Sequence, residues 1–190
     1  MRRRMHPAVL LATLAVTAGL LLPAAHAQPV DGPSDPAEIE SYLEDPQRTG
    51  EGQQPPHAFL RPYADAEQAL RSAREDLFAP ADEPTPWTLS LNGRWQFQYA
   101  DHYRDLPAGW QRGSGEWDAV DVPGVWQQQG YDRPIYRNVS SEIAPYRPPE
   151  VPDDINPTGA YRKQFELPEH WAGRRQLLRF EGVTSGYFVW

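Results

Sequence analysis

Residues Val122 to Gln164 read VPGVWQQQGYDRPIYRNVSSEIAPYRPPEVPDDINPTGAYRKQ. The segment is rich in aromatic residues and proline, and it follows neither the two-residue period of a strand nor the 3.6-residue period of a helix. Two parts of it are distinctive: PGVWQQQGYDRPIYRNV, from Pro123 to Val139, and NPTGAYR, from Asn156 to Arg162. Between them, Pro145, Pro148, Pro149 and Pro152 make the backbone stiff and extended. A stiff arm of this kind holds a loop tip in place.

Around this segment the period is that of strands. Trp95, Phe97 and Tyr99 alternate with Arg94, Gln96 and Gln98, which predicts a half-buried strand entered through the Asn92-Gly93 turn. Its aromatic stripe reads as core. Trp117 to Val122 predicts a short strand with Trp117, Ala119 and Asp121 on one side. After the segment, Tyr161, Phe165 and Leu167 mark a strand, Leu178 and Phe180 another, and Tyr187 to Trp190 a third. Short strands separated by turn residues (Pro168, Gly173, Gly182, Gly186) predict an all-β sandwich or barrel.

The N-terminal half is built differently. Arg2, Arg3 and Arg4 precede an apolar run from Ala8 to Leu22, followed by Ala25-His26-Ala27: the layout of a secretory signal peptide over residues 1–27. That run of 15 residues is short for a membrane span, which takes roughly 20. The expectation is therefore an exported protein, periplasmic or extracellular, free of the membrane once the signal is cleaved. Residues 28–86 read as an extended leader. Gln28 to Pro56 is acidic and poor in apolar side chains apart from Val30, Ile39, Tyr42 and Leu43, too little to offset its ordering entropy. The one helix expected in the mature chain runs from Asp65 to Phe78, with Ala66, Leu70, Ala73 and Leu77 at helical spacing and Asp65 with Gln68 approximating a capping box. Pro80, Pro84 and Pro86 forbid its continuation. Residues 87–190 form the β domain.

Composition excludes several classes. Without the three arginines of the first 27 residues, 15 basic side chains face 26 acidic ones, a net charge of −11. Nucleic acid is not the partner of such a chain, because phosphate binding needs clustered Lys and Arg. There is no cysteine, hence neither a disulfide framework nor a thiolate metal site. Seven Trp and nine Tyr residues separate the chain from disordered ones despite its 21 prolines.

Both distinctive parts resemble the sugar-binding domain that opens the glycoside hydrolase family 2 β-galactosidases. Ser90-Leu91-Asn92-Gly93-Arg94-Trp95-Gln96-Phe97 matches the family's opening strand, and Tyr42 to Pro46 with Pro55 to Phe59 resembles the arm that precedes the domain and takes part in subunit contacts. The resemblance covers the chain from about Tyr42 to Trp190 and implies a jelly-roll β-sandwich. It implies retaining hydrolysis of terminal β-D-galactosides on a downstream (β/α)8 barrel that carries both catalytic glutamates, with magnesium and sodium as ions and a homo-oligomeric state. On that basis the expectation is the N-terminal part of a longer enzyme, without a catalytic residue of its own.

Asn138 is the candidate contact residue. The resemblance implies that the asparagine of the motif, here Ile135-Tyr136-Arg137-Asn138-Val139, reaches the galactosyl unit, with Val139 beside it. A carboxamide offers the donor and the acceptor that recognition of a hydroxyl requires. Two other readings stand beside it: a loop asparagine bonded to its own backbone, and an N-glycosylation acceptor at Asn138-Val139-Ser140. Trp126, Tyr131, Tyr136 and Tyr146 could stack on sugar rings, but packing of irregular backbone onto the sandwich is the expected role for most of them. Glu116, Asp118, Asp121, Asp153 and Asp154 read as solvated acids, and His57, His102 and His170 are too scattered for a metal site. Two rivals remain: another family 2 glycosidase, such as a β-glucuronidase or β-mannosidase, and a secreted carbohydrate-binding module without catalysis.

Overall fold

The computed structural model describes residues 33, 35–58, 60–75, 85–134 and 147–190. Its elements in chain order are helix α1 (Pro36–Leu43), helix α2 (Ala66–Glu75) and strands β1 (Gly93–Ala100), β2 (Asp118–Val122) and β3 (Thr158–Arg162), with short 3-10 turns between them. The strands form one antiparallel sheet in the order β2-β1-β3. The all-β expectation holds, with helices confined to the region before β1.

β1 is the central strand and shows the predicted alternation over its first half, where Trp95 and Phe97 are covered and Arg94 and Gln96 exposed. It starts at Gly93, whose φ of 106° is a conformation that side-chain-bearing residues avoid. Trp95 pairs with Val120, Phe97 with Asp118 on one side and Tyr161 on the other, and Tyr99 with Gly159. Directly opposed residues share a face, so Trp95, Phe97, Tyr99, Val120, Gly159 and Tyr161 make one face of the sheet. Phe97 is 0% exposed and Val120 1%, which puts the core there.

Three local expectations are corrected. Pro36 to Leu43 is helical where an extended leader was expected: the Asp35 side chain accepts the Ala37 N–H at 2.8 Å and Pro36 takes the first turn. Ile39 is the buried residue of this helix. β2 lies within the expected Trp117 to Val122; its side with Ala119 and Asp121 is exposed, because the pairing of Trp95 with Val120 turns Val120 inward. Gln98, expected on a solvated face, is 7% exposed; Gly115 lies against it, and its Nε2 donates to Ser114 O at 2.9 Å.

The last correction concerns the C-terminal strands. β3 covers Thr158–Arg162 rather than Tyr161 to Leu167, and residues 163–190 form no strand. A strand exists only as a ladder with a neighbour, and no neighbour for Leu178 to Phe180 or Tyr187 to Trp190 stands among the described residues. The predicted helix is present as α2, with Gln68 N–H donating to Asp65 Oδ1 at 2.8 Å, and Leu70 on it is exposed. Residues 76–78 and the signal peptide lie outside the described residues.

Candidate functional site

The inward sheet face is covered by the first half of the distinctive segment. After β2 the chain makes a 3-10 turn at Trp126–Gln129 and then presents Tyr131. The Trp126 ring lies 6.0 Å from that of Phe97 and 6.1 Å from that of Tyr99, and the Tyr131 ring stands 4.8 Å from Phe97, edge-on. Tyr161 approaches Phe97 from the opposite side, also at 4.8 Å. Trp126 and Tyr131 thus pack the loop onto the sheet. Gly159 makes room for the indole: a Cβ there would stand 2.7 Å from Trp126 Cζ3 and 2.6 Å from Phe97 Cε2.

Polar contacts fix the same loop at the sheet's edge. Asp121 N–H donates to Gln129 Oε1 at 2.7 Å, and Gln129 Nε2 donates to Asp121 O at 3.1 Å. One carboxamide therefore serves both backbone groups of an edge-strand residue, as another strand would. Gly124 keeps that junction open, since a Cβ on it would come within 2.7 Å of Asp121 O and 2.8 Å of Gln129 Nε2. Tyr131 donates its hydroxyl to Asp118 Oδ2 at 3.0 Å. Burial, and then this bond, push the Tyr131 phenol above its ordinary pKa. Trp126 Nε1 is buried without a hydrogen-bond partner among the described residues.

The chain that returns to the sheet is held as firmly. Asn156 N–H donates to Asp101 O at 2.9 Å, and Thr158 Oγ1 donates to Asn156 O at 2.7 Å. Arg104, just beyond β1, reaches Asp153 at 3.2 Å and Glu40 of α1 at 2.7 Å. Glu44 accepts the Val151 N–H at 3.0 Å. Both flanks of residues 135–146, up to Pro134 and from Arg147, therefore run from loops fastened to one sheet. Asn138, Val139, Tyr136 and Tyr146 lie outside the described residues.

Three of the acids and the three histidines have structural partners. Asp118 receives the Tyr131 hydroxyl, Asp153 pairs with Arg104, and Asp121 lies 3.8 Å from Arg94. His102 is buried, its Nδ1 accepting the Arg104 N–H, while the His170 ring contacts Pro86 O. Among the described residues no three His, Asp or Glu side chains gather in a way that could hold a metal ion.

Gln129, Gly124 and Gly159 are the contributors that sequence reasoning missed. A glutamine standing in for a strand carries no periodic signal, although Gly159 lies within the distinctive NPTGAYR stretch.

Sequence comparison agrees with this anatomy. The model of the sugar-binding domain of glycosyl hydrolases family 2 matches residues 88–190. Over 129 residues the chain is 38% identical to the beta-galactosidases of Yersinia pestis bv. Antiqua (strain Angola) and Yersinia pseudotuberculosis serotype I (strain IP32953). That match takes in 66% of this chain and 12% of each relative. The chain belongs to family 2 of the glycosyl hydrolases, through the sugar-binding domain of that family. It spans a small part of the length of the beta-galactosidases it matches.

Proposed function

We propose that this chain is the N-terminal, sugar-binding part of an exported β-galactosidase, and that it shapes the galactose subsite from the side of the sandwich. In this reading Asn138 donates to and accepts from hydroxyls of the terminal galactosyl unit, with Val139 beside it. The catalytic carboxylates, the magnesium and sodium ions and the (β/α)8 barrel that carries them belong to the polypeptide beyond this chain. Retaining hydrolysis there needs two carboxyl groups about 5–5.5 Å apart. The intact protein would be a homo-oligomer.

The observation that supports the reading is geometric. Trp126, Gln129 and Tyr131 before the motif, and Asp153, Asn156 and Thr158 after it, are fastened to one sheet or to the residues bordering it. A loop with two fixed flanks can hold a contact residue in register with a site on a neighbouring domain, where small misplacements are costly. The rings of Trp126 and Tyr131, already packed on Phe97, are withdrawn from stacking on a sugar.

The test uses the protein exported by its own cells. The expected results are an intact mass several times the 21.6 kDa of this chain, hydrolysis of an aryl β-galactoside in preference to an aryl β-glucuronide, and a raised KM in Asn138→Ala. Preference for the glucuronide would move the protein to another branch of the family. A mass matching residues 28–190, together with saturable galactose binding, would make it a binding module without catalysis.

A further inference from the structure

We propose that the outer edge of β2 is a strand-addition site for a second copy of this chain, and that the Gln129 side chain holds it closed. β2 pairs with β1 on one side and forms an edge of the three-stranded sheet. In an antiparallel ladder the N–H and C=O of successive residues point alternately towards the neighbouring strand and away from it. Those of Asp121 point away: its N–H donates to Gln129 Oε1 at 2.7 Å, and its O accepts from Gln129 Nε2 at 3.1 Å. Ala119, two residues earlier, therefore points the same way. It is exposed, and its outward backbone groups meet no hydrogen-bond partner among the described residues. An edge of this kind is a template for another strand.

The sequence of β2, Asp118-Ala119-Val120-Asp121-Val122, fits it to a copy of itself. A two-fold axis through Val120 would set Ala119 opposite Asp121 of the second copy and Asp121 opposite its Ala119, an isologous contact. Each of these pairs exchanges two hydrogen bonds. Asp118 would stand opposite Val122, so no two carboxylates face each other and the penalty of opposed like charges is avoided. Gln129 prevents this pairing by supplying the same bonds from within the chain, since a carboxamide carries both a donor and an acceptor. Gly124 admits it, because a Cβ there would come within 2.8 Å of Gln129 Nε2. The Tyr131 hydroxyl, donating to Asp118 Oδ2 at 3.0 Å, keeps the loop beside the strand. One of the two outward residues is closed in this way, and Ala119 stays open.

The test uses the exported protein as Gln129→Ala, which clears the edge. A second variant adds Ala119→Pro, which removes the outward Ala119 N–H at an edge position where proline is tolerated. Sedimentation over a concentration series follows assembly, and amide exchange is read over residues 118–122. The expected result is that Gln129→Ala associates at least about tenfold more tightly than the unmodified protein, on the scale of the two hydrogen bonds released in each copy. Its Asp121 amide should exchange faster than in the unmodified protein at low concentration, and more slowly as the larger species forms. Adding Ala119→Pro should return sedimentation to that of the unmodified protein. The exposed side chains of residues 163–190 are common to all three proteins, so association through them does not enter the difference. Association that persists with Ala119→Pro, or that forms without slowing exchange at Ala119 and Asp121, would mean that another surface is responsible and would overturn the proposal. Unchanged sedimentation in Gln129→Ala would overturn it as well. Exchange is read on Gln129→Ala itself, so the outcome is decided even where the proline variant fails to fold.

Discussion

The indole of Trp126 fills the space above Gly159 where any other residue would carry its β-carbon, 2.7 Å from Trp126 Cζ3. The distance is well inside van der Waals contact, and Phe97 blocks the other direction at 2.6 Å. Gly159→Ala therefore has to lift either the indole or β3. Overpacking of this kind costs about 1–3 kcal/mol. A denaturant midpoint lowered by that energy divided by an unchanged m-value is the expected outcome; an unchanged midpoint would mean that the loop is not seated as described.

Phe97 is the residue on which the three strands and the loop converge. It is fully buried, and its ring meets those of Trp126, Tyr131 and Tyr161. Phe97→Ala removes the shared partner of all three and should cost about 3–5 kcal/mol. Against a typical domain stability of about 5–15 kcal/mol, that is a large share. Tyr161→Ala, at a half-exposed ring, should cost clearly less. Equal losses in chemical denaturation would contradict the central position of Phe97.

These two contacts also mark how far the sequence could be read. Trp95, Phe97 and Tyr99 announced β1 because alternation of large rings is a direct image of the pleat. The face of β2 was not legible: Trp117 and Val120 are both apolar, and register, set by the pairing with β1, decides between them. The start of β3 at Thr158 follows from its pairing with Ala100, a long-range relation that no local pattern carries. Helix α1 was legible in principle. Asp35-Pro36 is a cap followed by a first-turn proline, but its short apolar stripe of Ile39, Tyr42 and Leu43 was outweighed by the acidic residues around it. In the candidate site the motif was visible and its supports were not, since Gln129 works as a substitute for backbone.

Tyr99 gives the protein an alkaline limit. Burial first, then its bond to Asp101 at 3.1 Å and the charges of Asp132 and Asp101, push its phenol up to about 12. An unfolded tyrosine titrates near pH ~10. The folded state thus holds the proton more tightly, so this contribution is complete below pH ~10 and is lost as the pH rises towards 12. Tyr99→Phe should flatten the fall in stability over that window, as followed by denaturation at stepped pH. In Asp101→Asn the phenolate absorbance should titrate at lower pH, though still above that of a free tyrosine, because burial remains.

Arg104 joins pieces of chain that are far apart in sequence. Its guanidinium spans Glu40 on α1 and Asp153 ahead of β3, and Glu44 on the same side accepts the Val151 N–H. The pairing partners hold the guanidinium above its ordinary pKa, so the charge is permanent. Arg104→Ala should raise amide exchange over residues 36–43 and 151–155 while β1 stays protected. High salt should act in the same direction in the unmodified protein, because these pairs are open to screening. Uniform protection in the variant would mean that Arg104 does not hold α1 in place.

Residues 163–190 present the opposite situation: apolar side chains with little to cover them. Leu177 is 62% exposed, Leu178 52% and Phe165 50%, and Leu167 and Val189 are also open to solvent. Scattered exposed apolar residues are ordinary, but a run of them along one segment is the kind of surface that associates. Each leucine that becomes buried on association gains on the order of 1.5–3 kcal/mol, enough for a few contacts to drive assembly. The isolated chain should therefore sediment as larger species as its concentration rises. Leu177→Lys combined with Leu178→Glu should shift that equilibrium towards the monomer without lowering the denaturant midpoint, since neither residue supports the sheet. If the unmodified chain stays monomeric at every concentration, these side chains are covered in solution, and the exposed arrangement of residues 163–190 is not the one the isolated chain adopts.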